Sequence, residues 1–101
     1  MKYNLNNPTL MLFHASWCGH CKTFMPTFDK FSENINNSKV NIVKFNADKD
    51  KKYISAFNVE GFPSLMLHDP KSQRFIEYSG DRSMGDLVKF VNQNCNVDIT
   101  N

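Results

Sequence analysis

The stretch Ser16-Trp17-Cys18-Gly19-His20-Cys21 holds two of the chain's three cysteines and lies between an apolar run, Leu10-Met11-Leu12-Phe13, and a segment of helical periodicity. Before it, residues 9–14 read as a continuous apolar strand of the kind buried on both faces of a parallel or mixed sheet. After it, Phe24, Phe28, Phe31 and Ile35 recur at helical spacing and form one stripe, with Lys22, Asp29, Lys30 and Glu33 off it. A strand that feeds a helix through a Cys-x-x-Cys turn is therefore the unit that orders the chain. Pro26 falls inside this helix, where it removes a backbone hydrogen bond and is expected to bend the first turns.

Outward from this unit, residues 1–8 are polar and Asn-rich and end in Asn7-Pro8, which disfavours helix and predicts a loose arm. Residues 40–46 are β-branched and apolar around Lys44, the pattern of a central strand. Residues 48–58, with Tyr53, Ile54 and Phe57 as apolar positions, predict a shorter helix closed by Gly61. Residues 64–68 read as a strand, Asp69-Pro70-Lys71-Ser72 as turn chemistry and residues 74–78 as the hairpin partner, with Gly80 breaking the sheet. Ser83 followed by Asp86 resembles a capping box, and Leu87, Val88, Phe90 and Val91 then give a last amphipathic helix, leaving 96–101 as a second loose end. The order βα, βα, ββα predicts an α/β fold with helices on both faces of one sheet, in a single domain over residues 1–101.

At 101 residues, with 41% hydrophobic and 13% aromatic content, one core can form without disulfide staples. The net charge is +2 and the lysines are dispersed, apart from Asp48-Lys49-Asp50-Lys51-Lys52. Nucleic-acid binding needs cations clustered on one face, so no nucleic-acid partner is expected and this stretch reads as a solvated helix entrance. The Leu10–Phe13 run is too short for a membrane span and lacks a cleavage pattern, so no membrane association is expected. On that basis the chain is placed in the cytoplasm, or in the secretory pathway if it is a processed fragment; only there would the sequon Asn36-Asn37-Ser38 matter. In a reducing compartment an isolated Cys-x-x-Cys is catalytic or metal-binding rather than a staple. Cys95 falls on the apolar face of the last helix and reads as a buried thiol, and Met11, Met25, Met66 and Met84 as core filling.

At a helix start, the first cysteine meets the unpaired amides of the first turn and the positive end of the dipole, both of which favour thiolate over thiol. Cys18 is thus the expected nucleophile. Cys21, one turn further in, is expected to resolve the mixed disulfide formed on Cys18, and His20 to favour the Cys18 thiolate and make the couple more oxidising. With His14 these residues are also metal-type ligands, but a Cys-x-x-Cys on a helix start points its sulfurs to one side, so neither a metal site nor a cofactor is expected.

Trp17-Cys18-Gly19-His20-Cys21-Lys22 resembles the active site of the thioredoxin superfamily, in the form carried by protein disulfide isomerase catalytic domains. Phe13, Ala15, Pro26, Lys44, Gly61-Phe62-Pro63-Ser64 and Tyr78-Ser79-Gly80-Asp81-Arg82 follow in the family's order, so that the likeness runs over residues 9–94. The resemblance implies a thioredoxin fold and a thiol–disulfide oxidoreductase acting on cysteine-containing client proteins, with an electron donor or acceptor that the sequence does not identify. It implies a cis Phe62–Pro63 peptide facing the two sulfurs and a client-docking surface of Trp17, Gly19, Phe62 and Pro63. It implies, too, that Lys44 and Arg82 support proton transfer at the inner cysteine.

Two features depart from the family. Its members place a buried acid six positions before the first cysteine, where this chain has Leu12, leaving His14, Lys44 or water to take the proton from Cys21. A missing general base commonly costs about 10²-fold or more in the proton-transfer step. Members also carry a further strand and helix ahead of this region, so a trimmed, roughly four-stranded sheet is expected, its exposed flank offering a homodimer surface. A binding or scaffold module with weak catalysis is the alternative function.

Overall fold

A computed structural model describes residues 6–35, 39–78, 83–95, 97 and 99. The apolar run becomes strand β1 (Thr9–His14), whose four middle residues are buried. On one side it pairs in parallel with β2 (Asn41–Asn46), on the other antiparallel with β3 (Ser64–Asp69), which pairs antiparallel with β4 (Arg74–Glu77). The sheet order is β2-β1-β3-β4. Parallel neighbours need a crossover, and helix α1 (Gly19–Asn34) supplies it between β1 and β2.

Alternation along β1 divides the core in two. Leu10 and Leu12 join Phe24, Phe28 and Phe31 of α1 and Leu87 and Val91 of α3 (Met84–Cys95) in the larger cluster. Met11 and Phe13 face the other way, with Val43, Phe45 and, from helix α2 (Lys51–Ala56) and its C-terminal cap, Ile54 and Phe57. These are the two helix-covered faces of a thioredoxin fold, with a four-stranded mixed sheet and three helices among the described residues. Helix α1 continues through Pro26, which is exposed and lies off the buried stripe of Cys21, Phe24, Phe28 and Phe31.

Three local expectations are corrected. The strand around Lys44 is an edge of the described sheet rather than its centre, since β1 is its one partner there; a lysine in such a strand hinders edge pairing. The helix expected over 48–58 is cut back at both ends. At its start, the Asn46 carboxamide accepts from the amides of Asp48 and Lys49 (2.8 and 3.2 Å) and Asp50 Oδ2 from the amide of Asn46 (2.8 Å), which commits that backbone to a turn. At its end, Asn58, not Gly61, turns the chain with a φ of 55°, a left-handed conformation that asparagine tolerates. Of the ends expected to be loose, only residues 6–8, 97 and 99 are described, and two of these are held: the Pro8 carbonyl accepts from the Asn41 amide (2.8 Å), and Ile99 is buried, its backbone bonded at both N–H and C=O by the Asn92 carboxamide. Ser83 caps α3 as read, its hydroxyl accepting from the Asp86 amide at 3.2 Å.

Candidate active site

The strand-to-helix turn is closed by the Cys18 amide donating to the Ala15 carbonyl (3.2 Å), which leaves Cys18 extended (φ −93°, ψ 118°) as the N-cap of α1. Its own carbonyl already accepts from the Lys22 amide (3.2 Å). Cys18 is half-buried, whereas Cys21, first member of the buried stripe, is 2% exposed. The two cysteines carry thiols rather than a disulfide.

The second wall comes from the segment before β3. The Phe62–Pro63 peptide is cis, and the Ser64 hydroxyl donates to the Gly61 carbonyl (2.6 Å), pinning this turn. It brings the Phe62 carbonyl to 3.4 Å from Cys18 Sγ, across 44 positions of sequence, with the thiol donating. The Phe62 ring meets Trp17 edge-to-face at 5.8 Å, and Trp17 remains 65% exposed. Gly19 is exposed at the first turn with open space where a side chain would project. His20 is exposed and borders a shallow pocket with Thr23, Phe24 and Thr27.

Behind this front, Leu12 is fully buried, paired in register with Lys44 on one side and Leu65 on the other, and the acid position is thus part of the hydrocarbon core. Lys44 reaches out of the sheet to Asp29 of α1, 2.9 Å away, in a pair about half exposed. Sequence reasoning assigned Asp29 to the solvated face; only the crossing of α1 over β2 reveals that it supplies the carboxylate for Lys44. His14, half-buried at the end of β1, has its imidazole held below the usual 6.5, first by burial and then by Lys44, against the opposing pull of Asp50 and Asp29. Arg82 lies outside the described residues, as does the sequon at 36–38. Among the described residues no three His, Cys, Asp or Glu side chains converge in a metal-binding group.

A thioredoxin-fold sheet with a dithiol at a helix start and a cis-proline turn against it defines the class. The thioredoxin family model matches residues 2–93, and the chain belongs to that family. It is 37% identical over 86 residues to the protein disulfide-isomerase erp38 of Neurospora crassa, covering 83% of this chain and 23% of that protein. It is 38% identical over 89 residues to a mitochondrial thioredoxin domain-containing protein of Schizosaccharomyces pombe, covering 83% of this chain and 24% of that one. The chain thus spans about a quarter of the length of these curated relatives. Among solved structures, the J-Trx1 fragment of ERdj5 superposes with a TM-score of 0.82 at 26% identity, over 93% of this chain and 46% of that one. These likenesses place the chain among protein disulfide isomerase-like members of a thiol–disulfide oxidoreductase family.

Proposed function

We propose that the chain exchanges a Cys18/Cys21 dithiol–disulfide pair with cysteines of client proteins, as oxidant, reductant or isomerase. The observation that carries this is the Cys18 thiol, set at the N-cap of α1 and 3.4 Å from the Phe62 carbonyl beside Pro63. Cys18 is the nucleophile, favoured as thiolate by the unpaired amides of the first turn and by His20 nearby in sequence. Cys21, buried one turn further in, resolves the mixed disulfide. Trp17, Gly19, Phe62 and Pro63 form the docking surface. A client backbone N–H that bonds the Phe62 carbonyl takes up the oxygen the Cys18 thiol now points to, easing ionisation of that thiol as the client docks. Lys44 and Arg82 are assigned support of proton transfer, Lys44 through its pair with Asp29.

Insulin reduction and recovery of scrambled ribonuclease test this: wild type is active and Cys18→Ala is at background, and equal activities of the two overturn it. With Cys21→Ala, clients are held as mixed disulfides on Cys18 and identify the partners directly.

A second reading, a binding or scaffold module with weak catalysis, is favoured by one observation, the full burial of Leu12 in the larger hydrophobic cluster. Wild-type turnover no faster than that of free dithiothreitol, together with tight client binding by Cys18→Ala, would select it. The cytoplasmic placement expected from the sequence is not supported by the relatives, one of which is named mitochondrial. We assign the chain to a compartment that permits client disulfides; no helix among the described residues is long and apolar enough to cross a membrane. Pairing of two copies is proposed through the trimmed N-terminal flank, on the side of β2, whose outer edge has no strand partner among the described residues. Sedimentation that shows a monomer at all concentrations overturns it.

A further inference from the structure

Beside the Phe62–Pro63 turn the fold leaves a hollow of about 170 Å³ that the dithiol chemistry does not use. Gly61 and Ser64, which flank that turn in sequence, both line it, and the Phe62 carbonyl between them stands 3.4 Å from Cys18 Sγ. Its apolar lining comes from two elements. Met66 of β3 belongs to the smaller core cluster, and Phe57 and Val59, just past the end of α2, pack against that cluster. Backbone bonds hold both sides: the Val59 amide donates to the Ile54 carbonyl (3.1 Å), and the Tyr78 amide to the Leu65 carbonyl (3.0 Å).

Two carboxylates join this apolar lining. Glu77 lies opposite Met66 in the β3–β4 register and so shares its face of the sheet. Glu60, the residue before Gly61, lines the same hollow. Both glutamates are exposed, and neither has a hydrogen-bond or ion-pair partner among the described residues. The adjoining hollow on which Glu60 also borders contains Lys51, whereas no lysine, arginine or histidine among the described residues lines this one. A group that satisfies such a site has a hydrocarbon stem to cover the apolar lining and a cation at its end. Lysine and arginine side chains are built in this way.

We infer, resting on the oxidoreductase function proposed above, that this hollow selects clients carrying lysine or arginine within about two residues of the reacting cysteine. With the client sulfur at Cys18 and a client N–H on the Phe62 carbonyl, the client strand passes the Gly61–Ser64 turn and hence the hollow. Side chains of an extended strand point to alternate faces, so one neighbour of the client cysteine is directed into it. The aliphatic stem of that neighbour covers Phe57, Val59 and Met66, and its cation meets Glu60 and Glu77. The contact stays open to water, so it discriminates among clients rather than holding one tightly.

The test gives the reduced protein synthetic peptide disulfides that differ only in having arginine or glutamine beside the cysteines, and compares kcat/KM. Wild type is expected to favour the arginine peptide by about fivefold at low ionic strength and to lose the preference in about 1 M salt. Replacing both glutamates, Glu60→Gln with Glu77→Gln, brings the ratio of the two rates to one. Glu33→Gln, which removes an exposed acid from the last turn of α1, keeps the wild-type ratio. Equal rates for the two peptides in wild type, or an equal loss of preference in Glu33→Gln, overturn the assignment. A wild type that reduces neither peptide rejects the oxidoreductase function by itself, and the hollow is then read by binding. Peptides with serine for cysteine are titrated against Cys18→Ala protein and followed by Trp17 fluorescence. Tighter binding of the arginine peptide, lost when both glutamates are replaced, upholds the selection, and equal binding overturns it.

Discussion

At Leu12 the chain replaces a residue of chemistry with a residue of packing. Its side chain is fully buried against Phe24, Phe28 and Leu65, so Leu12→Ala is expected to cost about 2–5 kcal/mol in denaturant unfolding. Leu12→Glu places a carboxylate in the same hydrocarbon and is expected to destabilise the fold at pH 7, less so at pH 4 where the acid is neutral. A variant as stable as wild type at pH 7 would mean that the corner is wet. Cys95 offers a contrast within the same molecule: burial and then Asp69 push its thiol up to about 11. At pH 8 only about 10⁻³ of it is thiolate, so iodoacetamide should label Cys18 well before Cys95; equal labelling would show that the thiol is not shielded. His20 is exposed, and the role proposed for it is on the redox couple rather than on the fold. Its replacement by alanine is expected to make the pair more reducing, moving it from near the isomerase value of about −180 mV toward about −270 mV in glutathione equilibration.

The elements differ in how firmly they are held. Helix α1 buries Cys21, Phe24, Phe28 and Phe31 along its length, whereas α2 has six residues and buries none of them. Hydrogen exchange should therefore be slowest in β1, β3 and the middle of α1 and fastest in α2; protection of α2 equal to that of α1 would contradict this. The tie between α1 and β2 through Asp29 and Lys44 is half exposed, and a double-mutant cycle is expected to give less than about 1 kcal/mol, falling with salt. Sequence periodicity was a good guide to such elements: residues 9–14 form the strand it predicted, and the stripe of α1 is the one read from Phe24, Phe28 and Phe31. It misjudged residues 48–50 because side chains there bond the backbone, a competition that apolar spacing does not register.

For the whole molecule, acid sensitivity follows from His14. Its folded value lies below 6.5, so the unfolded chain binds the proton more readily. The stability this gives is complete above about pH 6.5 and is lost as pH falls through the lower folded value. His14→Gln should thus flatten part of the fall in denaturation midpoint between pH 7 and 5, and an unchanged slope would mean that His14 titrates alike in both states. The sequence alone determined the strand–turn–helix unit, the dithiol at a helix start, the capped last helix and the α/β class, because each depends on residues within a turn or two of one another. The tertiary structure alone decided that β2 is an edge of the described sheet, that Ile99 closes the core and that Asp29 answers Lys44, while the facing of Phe62 and Cys18, implied by the family resemblance, is seen as a 3.4 Å contact. Each joins positions set together by strand pairing and helix crossing, and apolar spacing along the chain carries no record of which distant residue will be met.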